Sequence, residues 1–370
     1  MSFGTSVGII TDGPGADAFR SIVPSRYSLP AGQQIVHGQV FRRNLFSVPG
    51  RNDNYPAFSA GDSYVLPTSA NSGYIAGVYN GVTIQNTNSV AQSQPFGMRR
   101  VGVSSVRAAV LNGGTAISVG TLVGFSAVSG ASTYDVATQV GSYIVGASLG
   151  LVMGYQINTT TATAVSATGS QTINLTSTIG VTTATPLTLD YGQSTAETVT
   201  PTAVTAQVCA NGNIVVGGTF SAGTVLTANV NGVSVSYTVV SGDTNLTGAA
   251  ASFAKAINAS AIVNGIGAVV APAVAVSGTV YFTALAGGTP GNSITLTASA
   301  VGGTTTATAS GATLASGAYG TITANFQQTH ATGAVVLGQQ TNVNGVIIPV
   351  PSGTGTMNVA NVLVDLSGLM

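Results

Sequence analysis

Apolar residues along much of this chain fall at every second position in short runs, the period of a strand with one covered face. The clearest run is Val233, Val235, Tyr237 and Val239, alternating with Ser234, Ser236 and Thr238. Phe220 to Val230 forms a strand before it, and Asn231-Gly232 between them is the preferred pair for a two-residue type I′ turn. The period then changes. Leu246, Ala250, Phe253 and Ile257 recur at spacings of four, three and four, which predicts a helix lying on a sheet, capped by Asp243 or Thr244. Val276 to Leu285 and Ser293 to Ala298 return to strands around the turn Gly287-Gly-Thr-Pro-Gly. Residues 205–316 therefore predict a small sandwich: hairpin, covering helix, hairpin.

Upstream, residues 101–157 predict a β-barrel-like domain. Val101, Val103, Val106, Val110, Ile117, Val119 and Leu122 fall in short runs broken by Asn112-Gly113-Gly114, a hairpin signal. The close-set glycines of Gly146-Ala-Ser-Leu-Gly-Leu-Val-Met-Gly-Tyr suit strands that bend round a small barrel. Residues 158–204 are threonine-rich, and that composition fits an alternating strand or a spacer equally well. Residues 317–370 are β again, with Asn344-Gly345, Pro349 and Pro351 marking turns. If they rejoin the earlier fold, 205–316 is an insertion.

Residues 1–100 have no clean period. Ala18 to Tyr27 and Val36 to Val48 mix aromatic, aliphatic and basic side chains. Two readings stand: an extended arm that orders against a partner, or an irregular region packed on itself. The fold class expected is mainly β, with small β-barrel and β-sandwich domains, one short covering helix and an extended, irregular N-terminal region.

Composition narrows the class. The 370 residues suffice for two or three domains, and their 44% hydrophobic content with zero net charge is not that of a disordered chain. Only 5% of residues are charged, against roughly 25% in an ordinary soluble domain. The single cysteine, Cys209, allows no internal disulfide and reads as a small buried hydrophobe. Met1-Ser-Phe-Gly lacks the basic and apolar regions of a signal peptide, so assembly in the cytoplasm is expected. Ala261 to Val276 is interrupted by Asn264, two glycines and Pro272, short of the roughly 18 apolar residues a membrane span needs.

The charge that exists is lopsided. All eight arginines lie between Arg20 and Arg107 beside four aspartates, about +4, whereas the remainder holds Lys255 and five acids, about −4.

Few groups are placed for catalysis. His37 and His330 are about 290 residues apart, and neither belongs to a metal-ligand spacing. Gly4-Thr-Ser-Val-Gly8 has the GxSxG form but no strand before it. Asp190 and Glu197 frame Tyr191-Gly192, and nothing in their spacing marks an acid pair. Lys255 lies in no phosphate loop, and there is no D-x-D-x-D-G run for calcium. The expectation is a protein that is not an enzyme and holds no metal or cofactor.

The arginines are the remaining constellation. Arg42-Arg43 and Arg99-Arg100 are paired, with Arg20, Arg26, Arg51 and Arg107 around them and Phe41, Phe46, Tyr55 and Phe96 nearby in sequence. Basic residues with aromatics can bind nucleic acid. Four interspersed acids and the absence of lysine favour a protein interface instead, where arginine and aromatics are enriched. All of these except Arg107 form the candidate interface.

Two stretches carry a resemblance. Asn112-Gly-Gly-Thr-Ala-Ile-Ser-Val-Gly-Thr-Leu-Val-Gly-Phe, then Asp135-Val-Ala-Thr-Gln and Ile144-Val-Gly-Ala-Ser-Leu-Gly, resembles the small β-barrel of tailed-bacteriophage capsid cement, or head decoration, proteins. Val230-Asn-Gly-Val-Ser-Val-Ser-Tyr-Thr-Val-Val-Ser-Gly-Asp-Thr, with Ala254-Lys-Ala-Ile-Asn-Ala and Gly288-Thr-Pro-Gly-Asn-Ser-Ile-Thr-Leu, looks like a β-module of phage virion proteins. The resemblance implies a non-enzymatic protein on the capsid surface of the virion, often a homotrimer at local three-fold positions. Its partner would be the major capsid protein, with the N-terminal arginines set against capsid carboxylates. Because the module occurs in head and tail proteins alike, a tail tube or fibre component is the alternative. A tyrosine-containing, weakly charged sandwich also suits an adhesin that binds host-surface glycan.

Overall fold

A computed structural model describes residues 22–43, 64–65, 75–79, 81–99, 103–111, 121–124, 137–139, 148–341 and 357–366. Valine, isoleucine and threonine, stiff at χ1 and suited to a pleated surface, put most of them into short antiparallel strands. The mainly β class expected from sequence is what the chain adopts.

The first hundred residues contain β1 (Ile22–Leu29), β2 (Gln34–Ile35), β3 (Val40–Arg43), β4 (Tyr64–Val65), β5 (Ile75–Tyr79), β6 (Ile84–Gln85) and β7 (Gln92–Arg99). Strands β1, β7, β5, β3 and β4 lie side by side in one antiparallel sheet, and β2 pairs with β6. Leu29, Ile35, Val40, Phe41, Val78 and Tyr79 are buried. The described part of this region packs on itself, the second of the two readings, while residues 1–21, 44–63 and 66–74 lie outside the described residues. Its period is hidden for a physical reason. The successive residues Val40 and Phe41 of β3 are both buried, so this strand lacks the apolar–polar alternation that marks a half-covered one.

A small barrel follows. It consists of β8 (Val103–Leu111), β9 (Leu122–Gly124), β10 (Ala137–Gln139), the first half of β11 (Ser148–Thr160) and β25 (Met357–Asp365). The order β11-β25-β8-β10-β9 closes because β9 also pairs with β11. Register shifts between Ser148 and Gly150 and between Val152 and Gly154 bend β11 where the glycines crowd, as expected from sequence. Asn112-Gly113-Gly114 lies outside the described residues, but β8 and β9 on either side of it are not neighbours. Strand β10 separates them, parallel to β8, and the run at Ile117 and Val119 that the hairpin signal would pair with β8 also lies outside the described residues.

The second half of β11 leaves the barrel and pairs with β24 (Val335–Thr341), which pairs with β13 (Leu187–Leu189), which pairs with β14 (Glu197–Val199). Facing this extension is a three-stranded sheet of β12 (Gly169–Leu175), β23 (Gly320–Phe326) and β15 (Ala203–Thr205). Ile157, Ile173, Leu175, Leu187, Ile322 and Phe326 fill the space between. On the outer faces, threonines in register join hydroxyls: Thr172 with Thr323 at 2.7 Å and Thr188 with Thr198 at 3.1 Å. The threonine-rich passage is strand with a polar outer face.

The chain leaves this threonine sandwich at Thr205 and returns beside it at Gly320, since β15 and β23 are paired there. The outgoing and returning segments run together, Val208 bonding Ala318 and Asn211 bonding Ala315 through both backbone groups. Between them lies a second, helix-covered sandwich. One sheet has the order β19 (Val274–Val276), β20 (Thr279–Gly287), β16 (Cys209–Gly218), β22 (Thr305–Ala309). The other has β18 (Val233–Thr238), β17 (Val225–Val230), β21 (Leu296–Val301). Asn231 and Gly232 sit at φ 50° and 82°, the type I′ geometry their sequence predicts. Because β18 is an edge strand, its apolar face is covered unevenly, from Val233 at 37% exposed to Val239 at 1%.

Helix α1 (Leu246–Asn258) buries Ala249, Ala250, Phe253, Ala254 and Ile257 against this core, close to the predicted stripe; the short α2 (Ala261–Asn264) follows. The predicted cap is corrected. The Asn245 side chain accepts from the Gly248 amide at 2.9 Å, so Asn245 is the cap. Asp243 instead is buried, accepting from the Tyr237 hydroxyl, the Ser252 hydroxyl and the Val240 amide, and Thr244 is left-handed. The loop before β2 rests on this end of the module: the Gln33 side-chain Nε2 donates to Ala259 O at 3.1 Å, and the Ile266 amide donates to Gly32 O at 2.9 Å.

Cys209 is buried at the start of β16, as its type suggested. Burial pushes its thiol up to about 11, with the Gln207 hydrogen bond opposing in part. At pH 8 the native protein should react with a thiol reagent on the order of 100-fold more slowly than after unfolding in denaturant, because the thiolate is the nucleophile. Equal labelling rates in the two states would contradict this burial. Among the described residues no helix is long and apolar enough to cross a membrane.

Candidate functional site

The arrangement with the most chemistry lies at one edge of the threonine sandwich. Asp190 directly follows β13 and Glu197 begins β14, so the tight connection 190–196 carries a carboxylate at each end. Asp190 takes a left-handed φ of 50°, its amide donates to Val335 O, and its carbonyl accepts from the Gln193 amide. Opposite, the turn between β23 and β24 presents His330, fixed because its amide and carbonyl both bond Val165. The imidazole is fully buried. Nδ1 lies 2.7 Å from Asp190 Oδ2 and Nε2 lies 2.7 Å from Glu197 Oε1.

The supporting bonds hold the carboxylates in place. Glu197 accepts from the Gln327 and Gln328 amides at 2.8 and 3.1 Å, and Asp190 accepts from the Thr195 hydroxyl at 3.1 Å. Phe326 meets the imidazole edge-on, ring centres 6.4 Å apart. Burial alone would lower the pKa of His330. The hydrogen bonds to Asp190 and Glu197, with the charges of both, outweigh that and hold it above its ordinary value.

This constellation is not laid out for catalysis. Both imidazole nitrogens are engaged by carboxylates, so neither is available as a base, and the nearby Thr195 hydroxyl bonds Asp190 rather than the ring. The carboxylates lie on opposite sides of the ring, and no group of three candidate ligands among the described residues converges on a metal position. Sequence reasoning missed the cluster because 140 and 133 positions separate its partners. The usable signal was scarcity: His330 is the one histidine in a stretch with hardly any charge.

The predicted arginines are placed by backbone. Arg42 and Arg43 end β3, Arg99 ends β7, and Arg26 lies in β1, all in one sheet. Arg99 sits opposite Val78, which sits opposite Val40, two residues before Arg42. With strands spaced ~4.8 Å and residues ~3.4 Å apart, the Arg42 and Arg99 backbones come within roughly 12 Å at one end of the sheet. Arg26 and Phe96 lie apart from that end, Arg26 opposite Pro95 and Phe96 opposite Ser25. Arg107 belongs to the barrel, opposite Asn361. Phe41 is fully buried, which corrects its place in the candidate interface: its ring has no surface to offer a partner. Arg20, Phe46, Arg51, Tyr55 and Arg100 lie outside the described residues. His37, half-buried beside β3, approaches Gly81 O at 3.4 Å.

The chain matches no protein-family model, no curated protein and no solved structure.

Proposed function

We propose that this chain is a bacteriophage virion structural protein of the cement or decoration type. It binds the outside of the head shell and stabilises it by bridging neighbouring capsomers. The observation that carries this reading is where the fold puts its charge. Asp190, Glu197 and Asp243 are engaged in internal contacts, so the described sandwiches carry little exposed charge beyond Lys255. Arg42, Arg43 and Arg99 instead gather at one end of a single sheet. A neutral body with one basic end suits a protein held to a lattice by weak contacts from several copies, its approach steered toward carboxylates of the major capsid protein. The sequence resemblance supports the same reading, with a trimer as the expected assembly.

Co-sedimentation with purified expanded shells tests it. The wild-type protein should bind, more weakly as salt is raised. R42S/R43S/R99S/R100S should weaken binding by about tenfold or more, the loss of roughly 1.4 kcal/mol of contact and steering. Binding unchanged by those replacements would remove the role given to the arginines. Averaged density on the head supports the proposal; a hexameric ring on the tail overturns it in favour of a tube component.

A further inference from the structure

The cluster around His330 goes beyond shell binding and does not depend on it. We propose that Asp190, His330 and Glu197 form a proton-operated clasp, closed on the imidazolium, that pins the 190–197 connection to the turn at 327–330 and releases it when His330 is neutral.

A neutral imidazole has one N–H and one bare nitrogen, whereas an ionised carboxylate only accepts. Each ring nitrogen lies 2.7 Å from a carboxylate oxygen. If Nδ1 carries the hydrogen, the lone pair of Nε2 faces Glu197; if Nε2 carries it, the lone pair of Nδ1 faces Asp190. Only the imidazolium donates on both sides. The ring is buried, with side-chain exposures of 19% for Asp190 and 8% for Glu197, so little water can soften a bare nitrogen against a carboxylate.

The surroundings add no competing charge. From β13 the ring faces Asp190, from β14 Glu197, from β23 the apolar Phe326, and from the segment at Val165 only backbone. Among the described residues no lysine or arginine pairs with either carboxylate. The direction of the switch follows from the raised pKa of His330. A group bound more tightly to its proton in the folded state contributes fully below its unfolded value, about 6.5. That contribution is lost as pH climbs through the higher folded value. The clasp is therefore closed in mild acid and opens on the alkaline side.

What opens is specific. The connection 190–196 carries Tyr191, 75% exposed, and Gly192 at φ 82°; besides the imidazole, it is tied to the 327–330 turn by the Gln327 and Gln328 amides, which donate to the Glu197 carboxylate that the imidazolium also holds. The experiment uses the full chain labelled with nitrogen-15 at histidine. His330 should titrate above the ordinary histidine value of about 6.5, with both nitrogens giving protonated imidazolium resonances on the acid side of its titration. As pH is raised through its titration, exchange protection at the Gln327 and Gln328 amides, corrected for intrinsic base catalysis, should drop about tenfold or more, as for the loss of one hydrogen bond to a charged group. Glu197→Gln lets a neutral ring accept from the new amide, so the pH dependence should flatten in that variant. Asp190→Asn makes the same test from the other nitrogen should Glu197→Gln not fold. A His330 that titrates below the ordinary value of about 6.5, protection that stays flat through its titration, or a folded variant with the wild-type pH profile would each overturn the clasp.

Discussion

Phe253→Ala should destabilise the helix-covered sandwich by about 3–5 kcal/mol, the range for truncating a buried phenylalanine. Phe253 is fully buried in α1 and is among the largest side chains wholly enclosed by the fold. Its helical neighbours are Ala249, Ala250 and Ala254, which bring the helix close but cannot swing into a vacated space. The cavity therefore persists, which places the loss at the upper end. With a urea slope of about 1–3 kcal/mol/M, the midpoint of the transition containing α1 should fall by about 2 M. Phe253→Leu, keeping more of the volume, should lose about 1–2 kcal/mol. A midpoint unchanged in Phe253→Ala would mean that α1 does not hold the two sheets together.

His330→Ala should be nearly as damaging, for a different reason. It leaves two largely buried carboxylates facing an empty space, and breaking a buried ion pair from one side costs about 3–5 kcal/mol. Asp190 keeps some contact with water, so the lower end is expected. The harm lies in unpaired charge, and a neutral background should relieve it. D190N/E197Q/H330A should recover about half the loss or more in thermal or urea unfolding. A triple variant no more stable than His330→Ala would locate the damage in lost packing against Phe326 instead.

These two sites were unequally legible in sequence. The stripe from Leu246 to Ile257 reports a local rule, because helix neighbours are three or four positions apart, and it placed α1 nearly in full. Asn231-Gly232 is legible for the same reason, a turn set by its own two residues. The His330 cluster obeys no local rule. Its members meet because β13, β14 and the turn after β23 are brought together by sheet order. The sheet holding β3 and β7 was hidden because Val40 and Phe41, successive residues of β3, are both in the core where alternation predicts one. Phe41 shows the resulting error: an aromatic beside arginines reads as a contact residue when its strand goes unrecognised. Asp243 gives a smaller case, where an acid placed for capping was taken by Tyr237 and Ser252 instead.

The closed barrel has a consequence for the order in which the chain can fold. Strand β25 lies between β8 and β11 and pairs with β8 along all nine of its residues. Synthesis must cover about 200 further residues after β11 before β25 exists. At ribosomal rates of about 5–20 residues per second, that interval is roughly 10–40 s. Throughout it, β8 and the barrel half of β11 each lack the neighbour that will cover their edges, the condition under which strands pair with wrong partners. The helix-covered sandwich faces no such delay, because its strands from β16 to β22 are contiguous in sequence and its core is complete once Leu314, shortly after β22, has been made. The nascent chain thus holds a finished module while its barrel waits open for the last strand.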